Sequence, residues 1–252
     1  MDGGFFWAMA GLAAALVGMG KGGMPVVGML GVPVLSLVLP PVTAAGLLLP
    51  VYVLSDMVGL YAYRGAFDRR VLAILVPAVT IGVGLGWATA TITPEWLVTA
   101  LVGVIGTLFA LRLLFGPQAP GAEQRAEVGP GLFWGALTGF TSFVSHSGAP
   151  PFQIYVLPLR LQKMIFAGTN TILFAYLNAI KLVPYWALGQ LSPANLKAAA
   201  LLMPVSAAAV LAGVRLVRIL PQALFFRLVS WALLLVSVKL VADGVGAGLR
   251  VR

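Results

Sequence analysis

Apolar positions along this chain come in long runs, not in alternation. LLLPVYVLSDMVGLYAYRG, RVLAILVPAVTIGVGLGWATA, EWLVTALVGVIGTLFALRLLFG and LKAAALLMPVSAAAVLAGVRLV each hold about 20 residues, enough for a helix to cross a hydrocarbon core of about 30 Å. Strands of a transmembrane barrel would be about 10 residues long and alternate in polarity, and no such pattern is present. The pattern predicts an all-α polytopic membrane protein. Broken apolar stretches cover 5–39 and 131–158, and uninterrupted helices are expected near 41–63, 71–91, 95–115, 164–188, 195–216 and 222–242.

The punctuation of these runs repeats. Pro25 and Pro33 recur as Pro150 and Pro158, 125 residues later, while Pro77, Gly86 and Pro94 recur as Pro204, Gly213 and Pro221, 127 residues later. Polar sequence peaks between the copies, in GPQAPGAEQRAEVGP at 116–130. The organisation read from this is a first transmembrane repeat at 1–116, a linker at 117–130 and a second repeat at 131–252. Arg64, Arg69 and Arg70 follow the second segment of the first half; in the second half Arg160 and Lys163 follow the broken stretch, and Arg215 and Arg218 precede Pro221. Lysine and arginine mark cytoplasmic loops, so equivalent loops face opposite sides and the repeats are inverted, a design common in secondary transporters. Inversion requires each broken stretch to return to its own side, as a re-entrant hairpin or as two complete passes. Residues 5–20 and 22–39 are short for passes, which favours hairpins.

Composition narrows the function. The chain is 60% hydrophobic and 9% charged, with a mean hydropathy of +1.01. Soluble domains are roughly a quarter charged. The net charge of +9 sits mostly at segment ends, which points to membrane orientation and not to nucleic acid. Cysteine is absent, which removes disulfides and thiolate chemistry. The first apolar stretch begins at Phe5 without a basic leader and is not read as a cleaved signal. One histidine cannot build a metal cluster, no nucleotide-binding loop follows a strand, and no cofactor or enzyme chemistry is expected.

Two stretches carry candidate chemistry. GMGKGGMP places Lys21 among Gly20, Gly22 and Gly23, and FVSHSGAP places Ser145, His146, Ser147 and Gly148 in the matching frame of the second half. Glycine lets the helix unwind, and proline suits the first turn of the next one. Free N–H groups at two such tips, with Lys21 and His146, would hold a small anion, whose charge would then neutralise the lysine. The alternatives are a snorkelling lysine and a packed, hydrogen-bonded histidine. Asn170, Asn178 and Lys181 fall within an arc of about 80° on one helix, and Tyr52, Asp56 and Tyr63 share a face of another. Asp56 and Lys181 stand 125 residues apart, so the repeat aligns them as an ion pair; Asp56 is either a proton carrier or one end of a structural salt bridge.

GMGKGGMPVVGMLGVP, and GFTSFVSHSGAPPFQIYVLP followed by FAGTNTILFAYLNAIKLVPY, resemble the two signature regions of the sulfite exporter TauE/SafE family. The second tip has serine and histidine where members commonly carry glycine. The resemblance covers essentially the whole chain and implies transport of sulfite, sulfonates, sulfoacetate or related organic anions. The reading is a secondary transporter in the cell inner (plasma) membrane, with a small anionic substrate, a coupling proton or ion, and the lipid bilayer as partners. An anion channel-like pore, an intramembrane enzyme and a non-transporting scaffold are the alternatives. The substrate, the direction of transport and the oligomeric state stay open at this stage.

Overall fold

A computed structural model describes residues 3–116, 125–187 and 193–250. Among these residues all regular structure is helical: α1 Gly4–Lys21, α2 Pro25–Met29, α3 Gly31–Leu35, α4 Pro41–Ala62, α5 Arg69–Ala88, α6 Glu95–Phe115, α7 Val128–Ser145, α8 Ala149–Val156, α9 Lys163–Ala187, α10 Pro193–Ile219 and α11 Gln222–Arg250. A 3₁₀ turn at Leu157–Leu159 follows α8. Seven helices (α1, α4, α5, α6, α9, α10 and α11) are long and apolar enough to cross a membrane. The protein is a multi-pass membrane protein. Leu101, Leu108, Leu201, Leu211 and Leu235 lie exposed on these helices, as side chains that face lipid would.

Prediction and structure agree on the helices and part company at the breaks. Helix α11 runs on to Arg250, beyond the expected end at 242. The return arm of the first broken stretch is not one half-helix but two five-residue helices, α2 and α3, joined at Leu30. Gly28, Gly31 and Pro33 weaken any longer helix there. In the second half the return arm is the eight-residue α8 and the 3₁₀ turn. Most of the expected linker, 117–124, lies outside the described residues.

Helices pack into two compact units that cut across the sequence halves. Unit 1 takes α1 to α4 from the first half with α9 and α10 from the second; unit 2 takes α5 and α6 with α7, α8 and α11. In unit 1, α1 lies against α10 and α4. Small residues allow the close approach: a Cβ on Gly22 would stand 2.6 Å from the Val210 carbonyl oxygen and 2.7 Å from the Gly213 Cα. A core of Ala10, Ala13, Ala14, Val17, Leu47, Leu48, Val51, Ala199 and Leu202 fills the space between these helices. In unit 2, α7 lies against α5 and α6 against α11. Asp68 caps α5, its carboxylate accepting from the Val71 N–H at 2.9 Å.

Candidate functional site

Helix α1 continues through Lys21, so the lysine ends the helix and does not sit in the loop. The break is Gly22, Gly23 and Met24. Gly23 has φ +109°, a conformation that needs glycine, and a Cβ there would also strike the Tyr63 hydroxyl and Ala167. The Gly22, Gly23 and Met24 N–H groups donate back to the carbonyls of Gly18, Gly20 and Met19 at 2.8, 3.2 and 3.3 Å. Pro25 has no N–H. The expectation that this tip offers free N–H groups to an anion is therefore corrected: they close the end of α1. Gly20 is likewise a packing glycine, because a Cβ on it would stand 2.5 Å from the Gly28 Cα of the return arm.

The face of α4 expected from the sequence turns onto this hairpin. The Tyr52 hydroxyl donates to the Gly28 carbonyl at 2.9 Å and the Tyr63 hydroxyl to the Gly22 carbonyl at 2.6 Å. Between them lies Asp56, 1% exposed, with Oδ1 2.7 Å from Lys21 Nζ. At this distance the ammonium and the carboxylate form a buried ion pair. Asn178 Nδ2 donates to the other oxygen at 2.9 Å. The neutralising partner of Lys21, which the sequence reading assigned to the substrate, is thus Asp56 itself. Lys181, which the repeat aligns with Asp56, interacts with it electrostatically, while the ammonium 2.7 Å from Oδ1 is that of Lys21.

Helix α9 lines the lysine. The Thr171 hydroxyl donates to the Lys21 carbonyl at 3.0 Å, and the Phe174 ring centroid lies 5.9 Å from Lys21 Nζ. The Tyr52 ring, on α4, is 5.3 Å away, so the ammonium is flanked by two aromatic rings. Asn170, Asn178 and Lys181 are all buried, as their shared arc implied. Lys181 interacts electrostatically with both Asp56 and Lys21. Asn170 Oδ1 is buried without a hydrogen-bond partner among the described residues. Among the described residues, the buried charged side chains of unit 1 are therefore two lysines and one aspartate.

The second tip belongs to unit 2 and is built differently. Helix α7 ends at Ser145, and His146 takes a left-handed conformation with φ 53°. The Ser147 N–H donates to the Thr141 carbonyl at 3.1 Å, the Ser145 hydroxyl to the same carbonyl at 3.2 Å, and the Ser147 hydroxyl to the Ser145 carbonyl at 2.9 Å. Gly148 packs on α7, where a Cβ would stand 2.7 Å from the Ser142 Cβ. Pro150 and Pro151 occupy the first turn of α8, so two of its N–H donors do not exist. These residues shape the break, and the Ser145 and Ser147 hydroxyls donate within the chain.

Sequence reasoning missed Gln153 on α8, which is fully buried with neither amide atom bonded among the described residues. The signal was present, a single glutamine within the apolar run APPFQIYV.

The family model for the sulfite exporter TauE/SafE matches residues 4–240. Neither the curated proteins nor the solved structures compared with this chain gave a match. With nearly the whole chain matched and seven helices of membrane-spanning length, the protein belongs to the sulfite exporter TauE/SafE family and is a membrane anion transporter.

Proposed function

We propose that the chain is a secondary transporter of small sulfur or organic oxyanions (sulfite, sulfonate or sulfoacetate-like) in the inner, plasma membrane, and that unit 1 holds the anion beside Lys21, Asp56 and Lys181. One observation carries the reading: two buried lysines, Lys21 and Lys181, and the buried carboxylate of Asp56 interact electrostatically within unit 1. Lys21 and Lys181 stand close enough to repel each other electrostatically, and an anion held between them would relieve that repulsion. Asn178 holds the carboxylate in place through its other oxygen, and Asp56 is the buried acid that a coupling proton would use.

The inverted-repeat reading finds support in packing. Helix α1 matches α7 and α10 matches α5 at the repeat spacing; α1 packs on α10 within unit 1, and α7 packs on α5 within unit 2. Exchange of segments between halves gives each unit an equivalent helix pair, a scaffold suited to alternating access. Counterflow of labelled sulfite in proteoliposomes tests the function. Saturable uptake accelerated by unlabelled sulfite inside is expected, whereas flux that neither saturates nor exchanges marks a pore.

A further inference from the structure

Unit 2 carries a second polar cluster, far less charged than the first. Gln153 and Ser237 are both fully buried. Gln153 Oε1 and Nε2, Ser237 Oγ and Thr107 Oγ1 have no hydrogen-bond partner among the described residues. Helices α6, α8 and α11 bring them into one neighbourhood. A Cβ on Gly106, next to Thr107, would meet the Ser237 hydroxyl and would stand 3.3 Å from Pro150 Cβ, one helical turn before Gln153. Buried polar atoms are nearly always satisfied, and a whole amide left unbonded calls for an occupant.

The chemistry of the amide selects that occupant. Nε2 only donates and Oε1 only accepts. A metal cation would meet Oε1 and be repelled by the N–H groups; a fully deprotonated oxyanion would meet Nε2 and be repelled by Oε1. An oxyacid that keeps one proton offers O–H and S=O or C=O side by side, and forms a cyclic pair of hydrogen bonds with a primary amide. Hydroxyls such as those of Ser237 and Thr107 can donate to its remaining oxygen. We propose that unit 2 holds a second, uncharged station for the transported ligand in its monoprotonated form (hydrogen sulfite or a protonated carboxylate), built on Gln153 and Ser237 with Thr107 beside them. This rests on the anion-transport reading above. It would let substrate and proton travel as one species, without a separate carrier at this point.

Calorimetric titration of the full chain in lipid nanodiscs tests it, at mildly acidic pH where sulfite holds one proton and methanesulfonate holds none. Gln153→Leu removes both bonds to sulfite at this station. It should weaken the second of two sulfite-binding steps at least about tenfold, leaving the unit 1 step in place, with a smaller loss for methanesulfonate. Ser237→Ala should weaken sulfite by a few-fold. Wild-type sulfite affinity in Gln153→Leu means the amide holds only water and overturns the proposal, as does an equal loss for both ligands. If Gln153→Leu does not fold, Ser237→Ala decides, and undiminished sulfite binding there overturns it too. A wild-type protein that binds neither anion sinks the transport reading and this station together. Tight wild-type binding with an unaffected Gln153→Leu sinks the station alone.

Discussion

The two compact units share matching helix pairs but not the chemistry at their centres. In unit 1 the end of α1 delivers a lysine to a buried aspartate and amide, with a second lysine on the same face of α9. Among the described residues of unit 2 the buried polar side chains are Thr138, Thr141, Ser142, Ser147, Gln153 and Ser237, none of them charged. Its described ion pair, Lys239 with Asp243, is half-exposed and spans one turn of α11. Among the described residues, buried charge is thus confined to unit 1. The two tips differ in the same sense. Unit 1 places glycine at its left-handed residue, Gly23, and unit 2 places His146 there.

The charged unit should be the more fragile one. Asp56→Asn leaves two buried ammonium groups without their carboxylate and should cost about 3–5 kcal/mol of stability in detergent unfolding. Adding Lys21→Gln should recover a large part of that loss, and more than adding Lys181→Gln does. Equal recovery by the two lysine changes would dissolve the distinction between the bonded lysine and its neighbour.

Next in size is the tight hairpin of unit 1. Gly20→Ala drives a methyl into the Gly28 backbone, which cannot yield as a side chain would, and should cost about 1–3 kcal/mol in the same assay. A change near zero would mean that the return arm is free to shift.

The smallest effect concerns the second tip. At His146, alanine should be less stable than glycine by about 1 kcal/mol, because only glycine takes a left-handed conformation without penalty. Equal stabilities of His146→Ala and His146→Gly would remove the left-handed assignment and, with it, this difference between the tips.

Much of this was legible in the sequence. Apolar run length gave the helices, and helical periodicity put Tyr52, Asp56 and Tyr63 on one face and Asn170, Asn178 and Lys181 on another, all as the structure has them. Contact across segments was harder to see. Repeat spacing aligned Asp56 with Lys181, and the two interact electrostatically, but nothing in the spacing showed that Lys21 reaches Oδ1 from the end of α1. The tips misled because glycine and proline announce a break without saying where its N–H groups go. Here three of them turn back onto α1. Interleaving of the two halves was also invisible, since periodicity describes each helix alone and not its neighbour.

The central claim is that the second buried lysine of unit 1 holds the anion, and sulfite titration of Lys181→Met against wild type tests it most directly. Lys21 and Asp56 keep their contact in this variant, so the fold should survive while one of the two buried ammonium groups is removed. Loss of one buried charge partner is worth about 2–5 kcal/mol, so sulfite affinity should fall at least about thirtyfold while the melting temperature without ligand holds or rises. A folded Lys181→Met that binds sulfite as tightly as wild type would contradict the account.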